Sequence, residues 1–359
     1  MQNDLKLQPR VCVTGQHREM LDAVLRVFGV TPDWDLRVMT AGQTLLATAS
    51  RVLADLERVF VEARPQMVVV QGDTTSAFCG ALAGFYQDVP VAHVEAGLRT
   101  HDLRAPFPEE INRVLAGRLA SLHFPATQWA AENLRREGIA ESDIRITGNT
   151  GIDAVVWMRD QLAARIISAE GLPAFVPYKK LILVTAHRRE NFGEAMQRIC
   201  QALLRLAQRQ DVEIVYPVHP NPNVRQVVER ELAGQNNITL LPPLEYPAFV
   251  ELMRRAFILI TDSGGVQEEG PSLGKPILVL RQRTERPEAV EAGTVRLVGT
   301  DVERIVAEAE ALLDDPVAYG KMARLHNPYG DGHASERIAS RIAEYLQVAP
   351  LKLAAAAAN

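Results

Sequence analysis

Leu181-Ile182-Leu183-Val184-Thr185-Ala186-His187 is an apolar run that ends in an imidazole. Its residues are continuously apolar, where a strand with one wet face would alternate, so it reads as a strand of a parallel sheet buried on both faces. Runs of the same kind flank it: Met67–Gln71 and Val89–His93 before, Phe257–Thr261 and Pro276–Leu280 after. Further strand candidates are Arg10–Thr14, Ser121–Phe124, Asp143–Thr147, Glu213–Val218 and Ile238–Leu241. Helix-length amphipathic segments separate them, which makes the class α/β and doubly wound. Two series of strands imply two Rossmann-like domains facing a cleft, with a hinge near residues 147–153. Pro173 and Pro177 mark a loop into the second series, residues 327–333 (NPYGDGH) are turn chemistry, and a last helix covers residues 334–346.

The bulk properties narrow the function. Of 359 residues, 47% are hydrophobic and 23% charged, a globular composition. A net charge of −5 gives no electrostatic case for nucleic acid or an anionic membrane as partner. No stretch has the apolar length of a membrane span or the pattern of a signal peptide, so the expected location is the cytoplasm. Cys12, Cys79 and Cys200 form no CxxC pair and read as buried structural thiols. There is no GxGxxG and no HExxH, and the eight histidines are dispersed. Neither a tightly held dinucleotide nor a catalytic metal is expected.

In an open α/β sheet, ligands bind beyond the carboxyl ends of the strands. The residues that follow each apolar run are therefore the site candidates. In the first domain these are Asp73 and Glu95; in the second they are His187 with Arg188, His219, and Asp262-Ser263-Gly264-Gly265. Asp73 is either a helix N-cap or a catalytic carboxylate. Glu95 sits in an apolar context that would raise its pKa and suit it to proton transfer, or it is a satisfied structural acid. The segment from Pro106 reads as a helix with Pro108 near its start and an apolar face of Ile111, Val114, Leu115, Leu119 and Leu122. Glu109 and Arg113 fall opposite, as a surface i,i+4 pair or as site residues. His187 and Arg188 are cations for a diphosphate or a solvated cluster. Ser263, Gly264 and Gly265 let backbone N–H groups approach phosphate or ribose oxygens, as ordinary turns also can. Glu268 and Glu269 are ribose ligands or solvated acids.

Ten segments, in order from Val11 to the last helix, resemble the non-hydrolysing UDP-N-acetylglucosamine 2-epimerases. Among them are GQHREMLDAVL, QGDTTSAF, HVEAGLRT, PFPEEINR, VTAHRREN and DSGGVQEEGPSLGKPILVLR. The resemblance implies a fold like that of two-domain nucleotide-sugar glycosyltransferases: residues 1–148 and 149–337, with a helix over 338–353 crossing back to the first domain. It implies inversion at C2 of UDP-N-acetylglucosamine, through loss of UDP to a 2-acetamidoglucal and re-addition, with no cofactor. Asp73, Glu95 and Glu109 become the acid/base residues, supported by Arg113. His187 serves the leaving UDP, with Arg188 beside it. His219, Ser263, Gly264, Gly265 and Glu269 hold diphosphate and ribose. A homodimer is expected. Gln16 and His17 match a segment that in some members binds a second, activating nucleotide sugar, but those members carry a basic residue near the position of Gly42. Family members also open with a strand, a glycine turn and a helix before the segment that begins here at Gly15, so the natural product is expected to start further upstream. The competing readings are a hydrolysing relative, a glycosyltransferase of the same architecture, and a nucleotide-sugar binder without turnover.

Overall fold

The computed structural model describes residues 7–15, 18–40, 42–284, 286–323 and 326–356. Gln16 and His17 lie outside them. The chain forms two compact units, one of residues up to Thr150 together with those from Gly332 onward, the other Gly151–Asp331.

The first unit runs β1 (Cys12–Val13), α1 (Arg18–Val27), β2 (Trp34–Asp35), α2 (Leu45–Ala63), β3 (Val68–Gln71), α3 (Thr75–Tyr86), β4 (Val91–Val94), α4 (Glu109–Leu119), β5 (Leu122–Phe124) and α5 (Gln128–Arg136). Its strands are parallel and fall into two sheets, β1–β2 and β3–β4–β5. No ladder joins β1 to β3 among the described residues, and β3 pairs along one edge only. Val69, in a run whose composition implies burial on both faces, is 44% exposed while Val70 on the opposite face is buried. The Asp143–Thr147 segment is not a strand; it makes a single bridge, Ile144 to His123. Thr44, Thr74 and Thr127 cap α2, α3 and α5, each hydroxyl accepting an N–H of the first turn.

The second unit opens with α6 (Thr150–Ala163), which begins on the last residue of the first. It continues through β6 (Lys180–Thr185), α7 (Glu194–Leu206), β7 (Val212–Pro217), α8 (Pro222–Leu232), β8 (Ile238–Leu241), α9 (Tyr246–Arg255), β9 (Ile258–Thr261), α10 (Gly264–Glu269), β10 (Ile277–Val279), α11 (Pro287–Glu291), β11 (Val295–Leu297), α12 (Val302–Asp314) and α13 (Pro316–Ala323). The sheet is six-stranded and parallel, in the order β8-β7-β6-β9-β10-β11. The order reverses between β6 and β9, the position where a doubly wound sheet opens a crevice at its strand ends. Ile182, Val184, Ile214, Tyr216, Ile258 and Ile260 are essentially inaccessible there, as their unbroken apolar runs require.

The last helix, α14 (Ala334–Ala356), belongs to the first unit. Its Ile338 and Ile342 pack with Ala92, Val94, Leu122 and Phe124 of β4 and β5. At about 25 cal/mol per Å² of buried apolar surface, such a contact makes the helix integral to that unit's core.

Candidate functional site

Two groups of polar residues stand at strand ends, one in each unit. In the first unit, β3 is followed by Gly72-Asp73 and β4 by Glu95-Ala96-Gly97. The cap of α3 is Thr74, not Asp73, because the Thr74 hydroxyl takes the Ala77 N–H. Asp73 is thereby left for other work. Its Oδ2 lies 2.9 Å from Nη2 of Arg113, whose side chain is only 11% exposed. Burial pushes the Asp73 carboxyl above the usual carboxylate range; Arg113 opposes the rise, while Glu109 and Glu110 add to it. A carboxyl raised above its ordinary value holds a proton more readily than a free one, which favours a part in proton transfer.

The turn carrying Asp73 is pinned from two sides. Asn112 donates its amide to the Asp73 carbonyl at 2.9 Å. His93, fully buried on β4, makes a 2.8 Å bond from Nε2 to the Gly72 carbonyl. Burial lowers the His93 pKa to about 4. The ring is therefore neutral and donates through Nε2–H. Glu95 adopts φ 60, in the left-handed region that costs a non-glycine residue about 1–3 kcal/mol. The strain brings its carboxylate beside the same turn: a Cβ on Gly72 would stand 3.4 Å from Glu95 Oε2. Gly97 is required by its φ of 89 and by packing, since a Cβ there would lie 2.2 Å from the Ala130 carbonyl oxygen.

Helix α4 differs from its sequence reading. The buried face is Glu110, Asn112, Ala116 and Gly117, and Leu115 is 39% exposed. Small residues let the helix approach closely, and carboxamide and carboxylate groups then satisfy the loop before it. Glu110, wholly inaccessible, accepts the backbone N–H groups of Thr100 and His101, each at 3.0 Å. Arg113 pairs with Asp73 and, at 3.5 Å, with Glu110 rather than forming a surface pair with Glu109. The first-unit group is thus Asp73 and Glu110 on the Arg113 guanidinium, with Glu95 beside the Gly72 turn and Glu109 near enough to act on Asp73.

In the second unit the group gathers where the strand order reverses. His187 follows β6, His219 follows β7, and Asp262 follows β9. The imidazoles of His187 and His219 stack, with centroids 5.2 Å apart and planes at 17°. Nδ1 of His219 accepts the Asn221 N–H at 3.1 Å, which leaves Nε2 as the ring's donor. Burial lowers the pKa of His187; Asp262 opposes this, and His219 and Arg188 reinforce it. The Arg188 guanidinium forms no ion pair among the described residues, which suits it to an anionic ligand.

Ser263 makes no capping bond to α10. A Cβ at Gly264 would fall 2.5 Å from the guanidinium carbon of Arg286, so that side chain would have to shift to admit one. Arg286 in turn bonds Glu268 at 2.5 Å. The two adjacent acids therefore differ: Glu268 is engaged, whereas burial and then Glu268 push Glu269 up to about 8. A carboxyl held that way can share hydrogen bonds with paired hydroxyls. Sequence reasoning missed Glu110, His93 and Arg286, and gave Asp262 no role. Only Asp262 carried a signal, its place at the end of an apolar strand. Among the described residues, no cluster of His, Cys, Asp and Glu could hold a metal ion, and no helix is long and apolar enough to cross a membrane.

The family model described as UDP-N-acetylglucosamine 2-epimerase matches residues 1–343. The chain is 54% identical over 336 residues to a UDP-N-acetylglucosamine 2-epimerase of Escherichia coli K12, covering 92% of this chain and 89% of that one. It is 51% identical over 350 residues to the Salmonella typhimurium enzyme of the same name, covering 96% and 93%. Among solved structures, the Neisseria meningitidis UDP-GlcNAc 2-epimerase bound to UDP-GlcNAc superposes with a TM-score of 0.87 at 43% identity, covering 96% and 94% of the two chains.

Proposed function

The chain belongs to the UDP-N-acetylglucosamine 2-epimerase family, and from that premise we propose that it interconverts UDP-N-acetylglucosamine and UDP-N-acetylmannosamine by elimination and re-addition of UDP. The C2 hydrogen of this sugar has no adjacent carbonyl, so its direct removal as a proton is very unfavourable. Departure of UDP from C1 while C2 loses its proton avoids the isolated carbanion. The C1–O electron pair leaves with the diphosphate, and a C1=C2 double bond forms. Protonation of C2 from the other face, with return of the diphosphate oxygen to C1, gives the epimer.

Such a route needs carboxyl groups at the sugar and cations at the departing diphosphate. The observation that carries the reading is the Asp73–Arg113 pair, with Glu95 strained into the same turn and burial raising the Asp73 carboxyl toward proton-transfer range. Asp73, Glu95 and Glu109 serve C2, and Arg113 keeps the group ionisable. His187 and Arg188 stabilise the leaving diphosphate, while His219, Ser263, Gly264, Gly265 and Glu269 hold diphosphate and ribose. Anomeric proton NMR of the protein with UDP-N-acetylglucosamine tests this. The expected result is a mixture of the two UDP-sugars reached from either side, with traces of UDP and the glycal. Release of free N-acetylmannosamine as the sole product contradicts it.

A further inference from the structure

Asp262 is the most deeply buried acid at the strand ends of the second unit, with no accessible surface. Its two oxygens are used unequally. Oδ2 accepts the backbone N–H groups of His187 and Arg188, both at 2.8 Å, and the side-chain amide of Asn191 at 2.9 Å. Oδ1 is equally buried and accepts nothing. It lies 3.6 Å from Nδ1 of His187, less than an ångström beyond a charge-assisted bond. The donors on Oδ2 fix the carboxylate, so Oδ1 is aimed at the ring and has no freedom to seek another partner. The stacked His219 has its Nδ1 occupied by a backbone N–H.

We propose that Asp262 is the positioning residue for His187. Rotation of the ring closes the 3.6 Å gap to an Nδ1–H···Oδ1 bond, fixes the tautomer and leaves Nε2 as the working atom. Protonated, Nε2 gives its proton to the phosphate oxygen that departs with the C1–O electron pair. The same proton returns to Nε2 when that oxygen re-adds. Only the identity of the anion served by His187 rests on the epimerase reading. The charged and titratable groups facing the ring are Asp262 from the end of β9, His219 after β7, and Arg188 on its own loop. Asp262 alone favours the imidazolium.

The test uses the full chain labelled with imidazole nitrogen-15, with His187 assigned by the signal lost in His187→Asn. The wild type, above the titration of His187, is expected to show the Nδ1–H tautomer. In Asp262→Asn the amide oxygen can keep the three donors while its NH2 faces Nδ1. The tautomer should then invert, the His187 titration should move to lower pH, and kcat should fall about 10²- to 10⁴-fold with the fold retained. A wild-type ring protonated at Nε2 overturns the proposal, as does full turnover in Asp262→Asn. If that variant does not fold, the wild-type tautomer decides alone. A wild-type Nδ1–H ring in a protein that does not epimerise the nucleotide sugar supports the positioning bond and removes the functional reading.

Discussion

Replacing Glu110 separates its backbone role from its charge. Glu110→Ala removes the acceptor for the Thr100 and His101 N–H groups, each 3.0 Å from Oε1, at a residue with no accessible surface. A buried donor left unpaired costs about 1–3 kcal/mol, so two cost about 2–6 kcal/mol. Water entering the emptied space relieves part of this, which places the expected loss near the lower figure, about 2 kcal/mol. His101 sits at φ 64 and depends on that hydrogen bond to stay there. Glu110→Gln keeps the acceptor oxygen and removes only the charge 3.5 Å from Arg113 Nε. Amide hydrogen exchange at Thr100 and His101 reads the difference directly. Two kcal/mol corresponds to about a thirtyfold loss of protection in Glu110→Ala, and the glutamine variant should stay near wild type at both amides. Because α4 also carries Glu109 and Arg113, turnover should fall in the alanine variant. Wild-type exchange at both amides in Glu110→Ala would refute the reasoning.

Gly97→Ala adds left-handed strain of about 1–2 kcal/mol to a Cβ 2.2 Å from a carbonyl oxygen, so the first unit should melt far lower; an unchanged melt contradicts this. The His93 pKa falls from 6.5 to about 4 on folding, so between those values the unfolded chain binds a proton that the native chain does not. Its contribution is fully present above pH 6.5 and is lost as pH falls toward 4, roughly 3 kcal/mol in all. Thermal melts across that range should show a flatter acid limb in His93→Gln; an unchanged slope would rule His93 out as its source. Arg113→Met removes the group that holds Asp73 down, so the acid limb of kcat/KM should move to higher pH. A limb that stays in place would take Asp73 out of the ionisation that governs activity.

The second unit was almost fully legible in its sequence. Leu181–Thr185 and Ile238–Leu241 appear as strands within one residue of their reading, because unbroken apolar runs have one solution in a sheet covered on both faces. The short strands Trp34–Asp35 and Val295–Leu297 were not legible; two or three residues carry no period. The face of α4 was misread for a different reason. Its leucines suggested the core, yet Ala116 and Gly117 set the close approach, and a buried glutamate is spent on a distant loop. Asp73, Glu95 and His187 do follow the ends of β3, β4 and β6, which the strand-end rule could anticipate because it depends on topology alone. It could not show that Thr74 takes the cap, that Glu95 is left-handed, or that Arg286 occupies the space above Gly264. Those depend on backbone angles and contacts from remote segments.

The most direct test of the central claim is proton exchange at C2. Incubation with UDP-N-acetylglucosamine in deuterated water, followed by NMR of the sugar, should place deuterium at C2 of UDP-linked N-acetylmannosamine and, on return, of the starting sugar. Epimerised product that retains the original C2 hydrogen, or binding without any exchange, would contradict an elimination that passes through Asp73, Glu95 and Glu109.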